Sequence, residues 1–143
     1  MKTTAMNEEE FWAIIDGATI DINDEFFLEN HYLSFWNALE TLNIRELEAF
    51  AERFRLIKKS VEVIDETHQP VAGYQLINVA APRFSDLLDG LISRGEAVFK
   101  NALSDPGSIE LLPRKELLGR CEAFAHAPVA LAKLKNAGFT QGI

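Results

Sequence analysis

Between Phe84 and Pro106 the apolar positions fall at 84, 87, 88, 91, 92, 98, 99 and 102, with Gly95 keeping the register. That is the wide face of one long helix over 83–103, opened by Pro82 near its first position and ended by the turn Ser104-Asp105-Pro106-Gly107. Gly90 and Gly95 would each cost such a helix on the order of 1 kcal/mol relative to Ala, so the sequence predicts close contact with another helix. A first helix starts with Asn7 as cap, Glu10 three residues on and Met6 placed to staple onto Phe11, and it stops near Gly17. A loop over 18–23 leads to a second helix from about Asp24 to Thr41, with an apolar face of Leu28, Tyr32, Phe35, Trp36, Leu39 and Leu42. Asn43 and Glu46 form a capping box for a third helix, whose buried stripe is Ile44, Leu47, Phe50, Ala51, Phe54 and Ile57. On its outer side Glu48 and Glu52 repel mildly, and Arg55 offsets this from three residues beyond Glu52.

The pattern loses its clarity over 61–81. VEVIDETHQP either extends the third helix or forms a short extended piece, since Val61, Val63 and Ile64 are β-branched, and Pro70 breaks whichever forms. VAGYQLINVAA is apolar and short; the helical neighbours favour a short helix. After Gly107, SIELL makes one turn, a helix runs from Arg114 to about His126, Pro128 interrupts, and VALAKLKNA forms a last helix closed by Gly138. The expected fold is all-α: a single-domain bundle of about five to seven helices over 1–143, with loose ends at about 1–6 and 139–143 and no sheet of three or more strands.

Charge changes this picture more than composition does. The 143 residues suit one domain, and 48% hydrophobic with 25% charged residues is ordinary for a globular chain. No apolar run approaches the roughly 18 residues that cross a bilayer, and the polar start has no apolar signal core. A single cysteine, Cys121, excludes an internal disulfide and fits a reducing cytoplasm. The net charge of −8 is concentrated: residues 1–30 hold eight acids and one base. Such a field repels phosphate and disfavours direct nucleic-acid binding; it either serves solubility or meets a basic protein partner.

The candidate chemistry is sparse. His31, His68 and His126 give no HExxH, and Cys121 with His126 is a weak ligand pair, so no metal and no cofactor are expected. Cys121 reads as a small core residue and His31 as a partly exposed helix residue. Neither a GxSxG elbow nor a glycine-rich phosphate loop occurs. Asp16 closes an aromatic helix, and capping is the favoured role. Trp12, Trp36 and most phenylalanines read as core. Phe26-Phe27 is the exception: both rings cannot easily face one core, so one is expected as an exposed anchor ringed by Asp24, Glu25 and Glu29. The expected partner surface is therefore Asp16, Asp21, Asp24, Glu25, Phe26, Phe27 and Glu29, with Glu62, Asp65 and Glu66 as a second patch.

EEEFWAIIDGA (8–18) and FSDLLDGLISRGEAVFKNALSDPGSIELL (84–112) resemble a family of small uncharacterised bacterial helical domains, marked by an FWxxID opening and an LIxxGxxxFxxALxDP helix. Where the family pattern often has an acidic pair before the long helix, this chain has Ala81-Pro82. The resemblance implies an all-helical bacterial cytoplasmic domain without established catalytic residues. The expected function is a non-catalytic protein-binding module, an immunity or antitoxin-like protein that covers a basic toxin. The alternatives are an enzyme or small-ligand binder with an inter-helix site lined by Trp12, Asp16, His31 and Tyr74, and a regulatory or structural helical domain.

Overall fold

Asn7 starts the first helix as its sequence position demands: its Oδ1 accepts from the N–H groups of Glu9 and Glu10 at 2.8 and 3.3 Å. In a computed structural model, residues 4–68 and 84–138 are described, with side chains other than those of 62–68, 84 and 106. Among them the chain forms α1 (Glu8–Gly17), α2 (Phe27–Glu40), α3 (Ile44–His68), α4 (Phe84–Ser93), α5 (Glu96–Ser104) and α6 (Glu122–Asn136). Two 3-10 segments, Pro106–Leu111 and Lys115–Arg120, join α5 to α6, and no strand occurs among the described residues. The fold is an all-α bundle. Asn43 and Glu46 exchange hydrogen bonds of 2.9 and 2.8 Å, the reciprocal box at the start of α3. Arg55 grips Glu52 through Nε and Nη2 at 3.0 and 2.6 Å.

The helices meet on an aromatic spine. Phe11 of α1 packs on Phe50 of α3 (ring centroids 4.6 Å), Phe50 on Phe35 of α2 (5.8 Å), and Phe35 on Phe124 of α6 (5.0 Å). Leu39, Leu47, Leu87, Leu88, Leu91, Ile92, Leu118 and Leu131 fill the space around it. Full burial of each such side chain contributes about 1.5–3 kcal/mol relative to exposure. Trp12 lies on Phe11 and Phe99 (5.1 and 5.6 Å) inside this core.

Three features differ from the sequence pattern. The expected helix over 83–103 is two helices, because Gly95 adopts φ +111° and turns the chain between α4 and α5. The apolar period crosses the break because Leu91, Ile92, Phe99 and Ala102 all bury in the same core. The expected helix from Arg114 to His126 is a 3-10 segment followed by α6; Arg114, at φ 52°, makes the left-handed entry. Pro128 lies inside α6 instead of ending it, buried at its seventh position. Over 61–68 the chain extends α3 to His68; the expectation for 69–81 lies outside the described residues.

Gly90 does make the expected close contact. A Cβ there would stand 2.2 Å from the carbonyl oxygen of Leu118, so the 3-10 segment rests directly on the α4 backbone. Of the ends expected to be loose, 1–3 and 139–143 lie outside the described residues. Met6 is buried, donates its N–H to Ala49 O (2.9 Å) and accepts from Arg53 Nε (2.7 Å).

Candidate functional site

The loop from Ala18 to Phe26 and the start of α2 carry most of the expected partner surface. Its aspartates are backbone acceptors first. Asp21 Oδ1 accepts from Asn23 N–H at 2.9 Å, and Asp24 Oδ1 from Phe26 N–H at 2.8 Å and from Asn30 Nδ2 at 3.1 Å. Asp16 reaches across the fold: its Oδ1 accepts from Glu96 N–H at 3.0 Å and so caps α5. Glu25 and Glu29 are exposed.

The two adjacent phenylalanines separate. Phe27 is 3% exposed, stacked on His31 (5.2 Å) and crossed by the guanidinium groups of Arg94 and Arg114 at 5.2 and 5.9 Å. Phe26 is 59% exposed. Sequence reasoning missed its companion, Leu33, which is 55% exposed seven positions on. Glu29, Asn30, Leu33, Asn37 and Glu40 follow helical spacing and are all exposed, so they form the outer face of α2, and the exposed Phe26 stands just before it at the N-cap. The missed signal was Leu33 opposite the buried His31-Phe35-Leu39 stripe. Glu62, Asp65 and Glu66 lie in the part of α3 whose side chains are outside the description.

His31 is 2% exposed, which corrects the reading of a partly exposed residue. It sits between Phe27 and Phe124 (5.2 and 4.9 Å), and burial, aided by the charge of Arg94, lowers its pKa to about 4 in spite of a hydrogen bond with the Ser93 backbone. The ring is neutral at pH 7. Cys121 is buried, donates to Leu117 O at 3.5 Å, and burial pushes its thiol up, opposite to what a nucleophile needs. Its sequence neighbour His126 is exposed and pairs with Glu122 at 3.3 Å, so the two do not form a ligand pair. No group of three or more His, Cys, Asp or Glu side chains poised for a metal occurs among the described residues. Of the four residues expected to line an inter-helix site, His31 lines a cavity, Trp12 is core and Asp16 is an exposed cap, and Tyr74 lies outside the described residues.

A second polar cluster was not visible in the sequence. Lys58 Nζ of α3 lies 2.7 Å from Asp89 Oδ1 of α4 and donates to Ser85 Oγ at 2.8 Å. Asp89 is 2% exposed, and its burial raises its pKa to about 6, outweighing the pull of Lys58; Asp86 adds to the rise. Beside the pair a groove of about 930 Å³ runs between α3 and α6, floored by Ala51, Phe54, Val129 and Ala132. No helix among the described residues is long and apolar enough to cross a membrane.

Fold and site together define a helical bundle with an acidic, aromatic-tipped outer face on α2. The model of DUF4240, a protein of unknown function, matches residues 6–135, and the chain belongs to that family. No curated protein and no solved structure matches it.

Proposed function

We propose that this chain is a non-catalytic binding module that holds a basic protein through the outer face of α2 and the loop before it. The observation that carries the reading is the pair Phe26 and Leu33, both more than half exposed, one at the N-cap of α2 and one on its outer face, in a segment that also carries Asp21, Glu25 and Glu29. Exposed large apolar side chains in a charged ring are what an interface needs: the acids steer a basic partner and raise the association rate, and the apolar anchors hold it. The mode of action is that of an immunity or antitoxin-like protein, which covers a toxin's active site and needs no chemistry of its own. On this reading the aspartates that brace the loop serve the surface by keeping Phe26 outward.

The test is a pull-down from the native host, scored for one basic partner at equal stoichiometry, followed by binding kinetics. Glu25→Lys with Glu29→Lys should slow association and weaken its salt dependence. Phe26→Ala or Leu33→Ala should speed dissociation about thirtyfold, the equivalent of roughly 2 kcal/mol. A captured partner that binds all of these variants as tightly as wild type would place the interface elsewhere.

A further inference from the structure

A notch of about 180 Å³ opens between the 18–26 loop, the start of α2 and the turn after α4. Its apolar walls include Ile20, Ile22, Val98 and Leu112, and its polar side chains are Arg94, His31 and Thr19, whose hydroxyl is already donated to Asp16 O. Arg94 is the unusual one. Its Nη1 and Nη2 donate to Pro113 O and Arg114 O, both at 2.9 Å. Those bonds use two of five donors. Among the described residues no carboxylate stands within ion-pair distance of it. Glu116 acts on it only through space, and the charge of Arg114 opposes that help. The nearby loop acids are engaged with other donors: Asp16 with Glu96 N–H, Asp21 with Asn23 N–H, Asp24 with Phe26 N–H. A guanidinium stays charged, and a partly buried charge without a counter-ion is costly.

We infer that this notch binds a small carboxylate with a short branched aliphatic body, its carboxylate on the free donors of Arg94 and its alkyl group against Ile20, Ile22, Val98 and Leu112. The size follows from the volume: a cavity of about 150 Å³ admits benzene, so about six non-hydrogen atoms fit. Neutral His31 lines the notch without adding a second positive charge. The inference is independent of the α2 interface.

The full chain, labelled with nitrogen-15, is titrated with sodium isobutyrate, with isobutyramide of the same shape but no charge, and with inorganic phosphate. Isobutyrate should give saturable amide shifts at Thr19, Ile22, His31 and Val98, and isobutyramide should bind at least tenfold more weakly. Phosphate, lacking an apolar body, should also bind at least tenfold more weakly. Arg94→Gln should weaken isobutyrate tenfold or more. Because that variant also loses two bonds to the backbone, Val98→Phe provides a second check: it fills the notch, leaves Arg94 in place, and should abolish the shifts. Absence of saturable shifts with isobutyrate, equal binding of phosphate or the amide, or undiminished binding by Val98→Phe would each overturn the inference.

Discussion

Acidification should expose the cost of the buried ring of His31. In the unfolded chain the imidazole takes a proton near pH 6.5; in the folded chain it does so only at about pH 4. The unfolded state therefore binds more protons across that window, and stability falls as pH drops through it. The contribution is fully present above about pH 6.5 and is lost by about pH 4. At 1.36 kcal/mol per pKa unit the whole effect is roughly 3 kcal/mol. Asp89 works in the opposite sense. Its folded pKa of about 6 lies above the ordinary 3.8, so the folded state holds the extra proton between those values and gains stability as pH falls. In wild type the two slopes nearly cancel between about pH 4 and 6. The pair Asp89→Asn and Asp89→Asn/His31→Phe isolates the ring, and other carboxylates drop out of the difference. Urea unfolding at pH 7.5 and 4.5, extrapolated to water, should show the single variant losing roughly 2–3 kcal/mol relative to the double variant. A difference that holds constant to about 0.5 kcal/mol would refute the claim that burial keeps the ring neutral.

Two further outcomes concern backbone positions. Gly90→Ala should destabilise by about 1–3 kcal/mol in urea unfolding, since the added methyl meets the Leu118 carbonyl and backbone must move; wild-type stability would show that the 3-10 segment yields freely. Asp16→Ala should cost about 0.5–2 kcal/mol by removing the acceptor for Glu96 N–H, and hydrogen exchange should quicken in α5 first; uniform exchange across all helices would argue against a local cap.

What could be read in the sequence was the local grammar. Asn7, Asn43 and Glu46 are caps whose partners lie within three residues, so spacing alone identifies them. The buried stripe of α3 followed from periodicity for the same reason, whereas of the face expected for α2 only Phe35 and Leu39 are buried and Leu28, Tyr32, Trp36 and Leu42 are half-buried at its edge. The break at Gly95 could not be read, because α4 and α5 bury the same core and the apolar register continues through the turn. Pro128 misled in the other direction: a breaker by local rule, it is accommodated in a helix packed on both α2 and α3. At the site, the exposed ring of Phe26 followed from two adjacent phenylalanines. The burial of His31, the Lys58–Asp89 pair and the setting of Arg94, which has no carboxylate partner among the described residues, depend on contacts between distant segments, and no spacing encodes them.

Among the described residues the most extensive helix contact joins α3 to α6, although α3 ends at His68 and α6 begins only at Glu122. A helical protein is usually quick to fold because its contacts are between near neighbours along the chain. Here the central seam closes only after a long stretch of chain has been gathered, and the entropy of that closure precedes its reward. During synthesis α3 would leave the ribosome well before α6, the described helix it packs against most, has been made. This bundle should therefore fold more slowly than its helix content suggests, and its α3 face is where a chaperone would hold the nascent chain.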